Sequence, residues 1–530
     1  MGFLRRRGLW KPWNWSTRTW VVAIVVSIFL SPFATRWICM WRVPDVALPF
    51  EIEQLVTPDI PANEDAFTQY ESVMKALYQL SIKEALGQTS VSWLDDAVDQ
   101  ATTPFDTKWD ERLDRWLLEN ANLLVEFERA SQMERTQLIS LKTLHQIDRA
   151  ITTHFDLLKL AKLPATEALR CERSGDPEQS WRWHSAVLRC SIHAEKPGFA
   201  KGYNVGRAIR INAYAAISQW AEHSSLSAGE LRLARSELLQ IAANRMKLSD
   251  VVKIEYLMMK NTFDQEYAPE FLHPEWQKWQ QIFPYKLLMM GQRSYLWSIG
   301  QPEISLRLHR QLLVNNLEQI DKPLHQRRKT VRSEYPLVFE LDAKRPRTRG
   351  QLDAAQLQKT IQGPLGQHLI GIKLFTNLGS HSYDLDLARR FDNAHVSMID
   401  VVLAAHEFQR IRGEFPATVD QMVPDFLDNV PFDPMSGSGS PLNYRRVTEG
   451  DAVIWSIGFN GTDNEGAIEG TEPKDTASGW LGFFGIVGYG DHEGKEPKDI
   501  GYRIRLKNDV DVPLQKAIPG PNVHDLKTPM

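Results

Sequence analysis

Apolar residues recur at helical spacing along most of this chain. Between residues 63 and 320 they stand three or four positions apart in successive stripes, which is the pattern of amphipathic helices. One such stripe predicts a single helix through Leu113, Trp116, Leu117, Leu124 and Phe127. No strand-like alternation competes with it in this range. The pattern predicts a mainly α fold with a large helical domain over residues 63–320.

Capping residues indicate where several of these helices begin. Asn63 has a residue type that caps helix starts, Asp176 is followed by proline at the first helical position, and Ser227 with Glu230 has capping-box spacing. No second copy of a helical hairpin recurs at a fixed step of about 34 residues. An irregular helical array is therefore favoured, and a regular solenoid is the alternative.

The first 42 residues have the pattern of a membrane anchor. An apolar run extends from Trp20 to Ala34 and reaches a spanning length if Arg36 turns its charged end back to the interface. Basic residues precede the run and tryptophans stand on both sides of it. We predict a cytoplasmic flank and a transmembrane anchor over residues 1–42. A cleaved signal peptide is the alternative, which Pro32 near a cut after Ala34 disfavours.

The positive flank also indicates orientation, because cytoplasmic flanks carry excess lysine and arginine. We predict a single pass through the inner (cytoplasmic) membrane, with the N-terminus in the cytoplasm and the bulk of the chain outside it. Residues 43–62 carry spaced prolines and are predicted to form an extended spacer. Residues 511–530 are predicted to be a disordered tail.

Residues 321–380 are predicted to be a basic connector followed by helix. Arginines and lysines crowd residues 322–350 and prolines interrupt them. A solvated connector that faces acidic parts of the same chain is favoured. The alternative is a site for phosphate or lipid headgroups.

The pattern changes over residues 381–510. One apolar stripe continues to Ile411, after which Gly413 and Pro416 end the helix. Thr418 and Gln421 have capping-box spacing and predict a second, short helix. The segment is therefore predicted to begin as a long helix followed by a capped one.

Strand-like runs follow at residues 442–447, 452–457 and 502–506, and the first two are separated by a four-residue turn. They predict a three- to four-stranded antiparallel sheet. With the preceding helices, this makes residues 381–510 a small α+β domain with one long helix.

Four segments carry a family resemblance: the helix stop at 412–416, the segment 418–424, the turn at 432–434, and the strand end at 455–461. They make residues 385–510 similar to the C-terminal half of the type II secretion major pseudopilins. The same module ends many uncharacterised membrane-anchored planctomycete proteins. This chain departs from true pseudopilins, because several hundred residues separate the N-terminal helix from the module and no pseudopilin leader-peptidase site is visible. Pilus assembly is therefore not expected.

An acidic loop after the second predicted strand carries the metal hypothesis. It holds Asn460, Asp463 and Glu465, and Ca²⁺ takes six to eight oxygen ligands of these kinds. The resembled pseudopilins bind calcium in the corresponding loop, so the resemblance makes Asp463 and Glu465 candidate ligands. Asp499 is a candidate closing ligand and Asp491 a weaker one. The spacing is not that of an EF-hand, and an acidic turn without an ion is the alternative.

Composition and motifs add few constraints. Hydrophobic content of 43% and a net charge of −4 describe an ordinary folded protein, with no argument for a nucleic-acid partner. No zinc-protease, phosphate-loop, nucleophile-elbow or Cys-x-x-Cys motif occurs. His406 is predicted to be a packed or exposed helix residue rather than an acid/base group. Cys39, Cys171 and Cys190 are all predicted to be reduced packing residues. Helical rise separates Cys171 from Cys190 too far for a disulfide.

An acidic cluster at Asp95, Asp96 and Asp99 is predicted to lie in a loop and to serve turns and caps. No catalytic residue is therefore predicted.

These patterns predict a non-enzymatic, membrane-anchored extracytoplasmic protein with a structural or protein-interaction role related to secretion or to the cell envelope. Its expected partners are the membrane, through the N-terminal helix, and another envelope protein. The alternative is a hydrolase with its site in the helical domain. Converging carboxylates or histidines in a cleft would favour the hydrolase. A closed apolar helical domain with the glycine-rich segment 479–490 exposed would favour the non-enzymatic role.

Overall fold

The computed structural model describes most of the chain, and it is mostly helical with a small sheet. The described residues are 17–42, 45–55, 60–85, 92–102, 108–137, 147–196, 198–266, 297–298, 300, 303–327, 374–458, 461–466, 468–469 and 499–506. Several predictions fall outside these ranges: the basic stretch beyond residue 327, segment 479–490, the tail 511–530, Asn460 and Asp491.

Helix α1 spans Thr17–Arg42, and within it Thr19–Ile38 is long and apolar enough to cross a membrane or to serve as a signal sequence. None of that window is buried by the rest of the protein. The Arg36 guanidinium donates to the carbonyl oxygen of Trp297 at 2.7 Å and lies 4.8 Å from the centre of the Trp297 ring. An N-terminal apolar helix is confirmed, and its orientation stays a prediction.

Eleven further helices precede the long C-terminal one among the described residues, and they confirm the mainly helical prediction. They are α2 (Ala66–Ala85), α3 (Ser92–Ala101), α4 (Arg112–Glu119), α5 (Ala121–Ser131), α6 (Ile147–Leu160), α7 (Lys162–Arg173), α8 (Pro177–Glu195), α9 (Ala200–Trp220), α10 (Ala228–Ala243), α11 (Leu248–Glu266) and α12 (Glu303–Leu317). Short 3₁₀ turns lie at Ile52–Gln54 and Leu324–Gln326.

Two of the three predicted helix starts are confirmed. The Asp176 side chain accepts from the backbone N–H of Gln179, and Ser227 with Glu230 forms the full capping box. Asn63 as the cap of α2 is wrong. Asp65 takes that place, since a turn over residues 61–64 brings its carboxylate to the backbone N–H groups of residues 67 and 68.

Two further expectations about helices are corrected. Asp95, Asp96 and Asp99 lie on α3 rather than in a loop. The apolar stripe from Leu113 onward belongs to two helices, because Asn120 interrupts the backbone and its side-chain amide donates to the carbonyl oxygen of residue 116 at 2.9 Å.

Helix α13 spans Leu374–Arg412 and occupies the centre of the core. Every residue from 398 to 405 except Asp400 is fully buried, as in a helix enclosed on all sides. It packs on α9 and α10, and also on strands of the sheet. The apolar cluster that begins in α2 therefore continues through α13 into the sheet without a break at residue 381.

The sheet has strand order β1-β2-β4-β3, with β1 Asn443–Thr448, β2 Asp451–Ser456, β3 Ile468–Glu469 and β4 Asp499–Arg505. The pairs β1–β2 and β2–β4 are antiparallel, which confirms the predicted hairpin and its third strand. The sheet is not wholly antiparallel, because the two-residue β3 pairs in parallel with the start of β4.

The predicted capped helix after Pro416 is wrong. Residues Val419–Met422 form one 3₁₀ turn, and the Thr418 side chain makes no capping bond. Gln421 Oε1 instead accepts from the backbone N–H of residue 417 at 2.7 Å. The turn does not extend into a longer helix, because Pro424 lacks the backbone N–H that the next helical hydrogen bond would need.

Candidate functional site

The acidic loop at the sheet edge is the first candidate site. Asp463 lies seven residues after the end of β2, and its Oδ1 accepts from the indole N–H of Trp455 and from the backbone N–H of Glu465, both at 2.9 Å. Glu465 is exposed and has a positive φ of 59°. Asp463 therefore holds a tight turn and ties it to the sheet.

Asp499, the first residue of β4, contacts the acidic loop through its side chain. Its carboxylate accepts from the backbone N–H groups of Asn464 and Gly466 at 3.0 Å each. Burial raises the pKa of Asp499, backbone hydrogen bonds oppose that rise, and the nearby carboxylates of Asp463 and Asp433 add to it. The structure thus brings Asp463 and Asp499 together.

These carboxylates do not form a calcium cage by themselves. Among the described residues, no group of three or more His, Cys, Asp or Glu side chains is arranged to hold a metal ion. Three of the four oxygens of Asp463 and Asp499 accept N–H groups of the protein. Hydrogen bonds to backbone and indole N–H groups therefore hold this loop in place.

Asp433 is a third acidic residue at this edge of the sheet. The sequence analysis predicted the turn that contains it but no role for its side chain. It is buried and accepts from the Ser456 hydroxyl at 2.7 Å and from the backbone N–H groups of Met435 and Ile457. Burial raises its pKa, and these three bonds oppose the rise. An aspartate in a turn, where its side chain binds nearby N–H groups, was the available signal.

A second candidate site is a buried ion cluster between the helices. Arg210 on α9 donates to Glu195 at 2.5 Å and to Asp392 of α13 at 2.7 Å. Arg245, just after α10, reaches the same Asp392 oxygen at 3.1 Å. Arg210, Glu195 and Asp392 are each at most 1% exposed. The sequence analysis missed this cluster, although an arginine in the apolar run of α9 was a signal for it.

Mutual pairing keeps these groups charged in the interior. Burial by itself raises the pKa of Asp392, but Arg210 and Arg245 outweigh it and hold that pKa far below its usual range. Burial likewise lowers the pKa of Arg210, and the two carboxylates raise it well above the usual value. The cluster is an internal ion pair network, which joins α8, α9 and α13.

Gly206 allows this network to form. A Cβ atom there would lie 2.4 Å from the carbonyl oxygen of Ser191 and 2.8 Å from Cγ of Glu195. Gly202, one turn earlier, faces the carbonyl oxygen of Ala194 at 2.8 Å in the same way. Helices α8 and α9 therefore approach closely enough for Glu195 to meet Arg210.

A third cluster has the residue types that the hydrolase alternative requires. Glu172 lies between His184, at 3.0 Å, and His223, at 3.4 Å, and Ser180 donates to it at 2.9 Å. Burial raises the pKa of Glu172, while hydrogen bonds from both histidines lower it to about 2.

The geometry of this cluster is not that of a nucleophile and its base. Ser180 donates to the carboxylate and not to an imidazole, whereas an activated serine needs a histidine within hydrogen-bond reach. All four side chains are buried. The arrangement is that of a buried carboxylate satisfied by three donors.

His406 is a packed helix residue, as predicted. It is fully buried with its ring edge-on to Phe415, and burial lowers its pKa to about 3. Cys171 and Cys190 are free and buried, which confirms their predicted reduced state. Burial raises the pKa of the Cys190 thiol to about 12, so its nucleophilic thiolate is not populated at neutral pH.

The charged groups of the Arg210 and Glu172 clusters therefore satisfy one another, and the acids at the sheet edge hold a loop. A scan against protein-family models finds no match, and comparisons with curated proteins and with solved structures also find none.

Proposed function

We propose that this chain is a non-enzymatic, membrane-anchored protein of the cell envelope whose extracytoplasmic part has a structural or protein-interaction role. The supporting observation is helix α13, which is shared by the helical region and the sheet. The pseudopilin-like module, proposed from its sequence resemblance, is then a built-in part of a larger body rather than a separable pilus subunit.

The state of the polar clusters supports a structural role over catalysis. Three central side chains of these clusters hydrogen-bond to other side chains of the protein, namely Glu172, Arg210 and Asp392. A catalytic constellation needs a group left available for substrate. The envelope partner stays a prediction that follows from this role.

The proposed topology is tested by cysteine labelling of the full chain in its membrane. Val447 on β1 is 48% exposed, so a Val447→Cys variant should react with a membrane-impermeant maleimide on intact spheroplasts. A Gly2→Cys variant should react only after lysis. Gly2→Cys labelling from outside, or a mature chain that has lost residue 2, would overturn the anchored topology.

The partner is tested in the same cells. A membrane-impermeant cross-linker should give one discrete larger species with the full chain. The species should disappear when residues 1–42 are replaced by a cleavable export signal, because the chain then leaves the membrane. A ladder of unrelated sizes, or no adduct, would contradict a specific envelope partner.

Calcium binding at the acidic loop stays a prediction of the resemblance, centred on Asp463 and Glu465. If calcium binds, saturation to about 100 times its dissociation constant stabilises the folded state by ~2.7 kcal/mol. We expect a calcium-dependent rise in melting temperature that a chelator reverses and Asp463→Ala abolishes. An equal melting temperature at millimolar calcium and in chelator would remove the ion from this proposal.

A further inference from the structure

Buried polar atoms without a partner are concentrated where α9 meets α13. Six side-chain atoms there make no hydrogen bond to another described residue. They are Tyr203 Oη, Asn204 Oδ1 and Arg207 Nε on α9, and Arg389 Nη1, Asn393 Oδ1 and His395 Nε2 on α13. Buried polar groups are nearly always satisfied, so this concentration indicates something that they bind.

Three of the six atoms are hydrogen-bond donors, because Tyr203 and the two arginines donate by their chemistry. The Nδ1 atom of His395 lies 2.5 Å from the hydroxyl of Tyr502. Burial raises the pKa of Tyr502 and lowers that of His395 to about 4, so both groups are neutral at pH 7. The unpartnered Nε2 of His395 donates or accepts according to which ring nitrogen carries the proton.

The same region has an excess of positive charge. Among the described residues, Arg207, Arg210, Arg245 and Arg389 lie around two carboxylates, those of Glu195 and Asp392. Arg210 and Arg245 are paired with them.

The other two arginines have no such partner. Arg207 is 5% exposed, and neither it nor Arg389 makes an ion pair with another described residue. A buried charge without a counter-charge is costly. Arg207 is therefore a buried positive charge that calls for a negative partner, whereas Arg389 is partly exposed.

Two pairs of these groups face each other across the interface. The charge of Arg389 acts on the Tyr203 hydroxyl, and the charge of Arg207 acts on His395. Tyr203 and Arg207 are one helical turn apart on α9, as Arg389 and Asn393 are on α13. Two helix faces thus present their donors to each other.

We propose that the α9–α13 interface binds a small oxyanion of the phosphate class, with Arg207, Arg389 and Tyr203 as its donors. Guanidinium groups are the preferred partners of phosphate oxygens. The negative charge of the ion would compensate the positive charge of the buried Arg207. The site is distinct from the acidic loop and does not depend on the proposed structural role.

The test measures binding of inorganic phosphate to the full chain in detergent, by calorimetry and by melting temperature, with chloride at equal ionic strength as reference. We expect saturable binding and a rise in melting temperature. Arg207→Met should weaken the affinity about tenfold or more, since charged hydrogen bonds contribute ~1.5–3 kcal/mol. Arg115→Met, which removes an exposed arginine of α4, should leave it unchanged.

Two further measurements keep the proposal open to refutation if Arg207→Met is unstable. Tyr203→Phe removes one donor and keeps the shape, and should weaken phosphate binding several-fold with little change in the ligand-free melting temperature. Glycerol phosphate in place of inorganic phosphate distinguishes an ester from the free ion, and binding of either supports the site.

Three results would overturn the proposal. One is identical melting in phosphate and in chloride, which would mean that water alone occupies these atoms. Another is equal phosphate affinity in the wild type, Arg207→Met and Tyr203→Phe. The third is binding of succinate but of no phosphate, which would assign a dicarboxylate site instead.

Discussion

At the scale of single residues, Arg210 is a buried side chain with charged partners on two other helices. It joins Glu195 from the preceding helix to Asp392, which stands 182 positions later in the chain. Removal of one member of a buried ion pair leaves the others charged and without a partner. The energetic effect of this side chain is therefore far larger than that of an ion pair on the surface.

We predict that Arg210→Met lowers the free energy of unfolding by about 3–5 kcal/mol, because Glu195 loses its buried partner. The matched control is Arg135→Met, whose ion pair with Glu64 is about half exposed, and which should cost ~1 kcal/mol or less. Urea unfolding of both variants measures the difference. Equal losses would show that the buried network does not stabilise the fold.

Single-residue predictions succeeded where the signal was local. Asp176 and Ser227 cap helices as their sequence neighbours indicated, and the Cys190 thiol is buried and free. The acidic loop was also found, with Asp499 returning to it. The partnership of Arg210 with Asp392 was not predictable, since sequence spacing carries no information about which distant helix faces which.

At the scale of elements, the contact between α8 and α9 depends on two glycines one turn apart. Gly202 and Gly206 both face backbone carbonyl oxygens of α8 at distances that no side chain tolerates. The absence of Cβ atoms lets the helices approach, and the approach aligns Glu195 with Arg210. Packing distance and electrostatics are therefore coupled at this pair.

Gly206→Ala should destabilise the fold by about 1–3 kcal/mol, since its methyl group overlaps the Ser191 carbonyl. Gly229→Ala is the control, because its nearest atom lies at an ordinary 3.8 Å. On α10 this change should be neutral or stabilise by up to ~1 kcal/mol. Thermal unfolding compares the two, and a harmless Gly206→Ala would contradict the close approach.

Element types were predicted better than element ends. The hairpin of β1 and β2 has the predicted strands and turn. One predicted helix became two at Asn120, and the predicted helix after Pro416 became a single 3₁₀ turn. Apolar periodicity runs through such interruptions, so it shows that helix is present but not where it breaks.

At the scale of the whole molecule, three buried histidines make the fold sensitive to acid. Burial lowers the pKa of His193 and His395 to about 4 and that of His406 to about 3. The unfolded chain binds these protons at higher pH than the folded one does. Stability is therefore complete above the unfolded histidine pKa of about 6.5 and is lost as the pH falls toward 4.

We expect the free energy of unfolding to fall by roughly 3 kcal/mol for each buried histidine between pH 6.5 and 4. His406→Leu should remove one such contribution and make the pH dependence shallower. Urea midpoints at pH 7.5, 5.5 and 4.5 for both chains measure this. Parallel curves would mean that His406 takes up its proton equally in both states.

The mainly helical fold and the apolar N-terminal helix were both visible in the sequence, because each depends on local pattern. The sequence did not show that one apolar core joins the helical region to the segment after residue 381. The stripe on residues 399–411 predicted a buried face, whereas the structure buries residues 398–405 on nearly every side. An amphipathic pattern shows which face of a helix must be buried, but it does not show whether the other faces are buried as well.

The late position of α13 in the chain has a consequence for biosynthesis. At ~5–20 residues per second, the 182 positions between Arg210 and Asp392 take roughly ten to forty seconds to synthesise. Throughout that interval the apolar and charged face of α9 has no cover. We therefore expect the growing chain to expose this face, and to be prone to association with other apolar surfaces, until α13 has been synthesised.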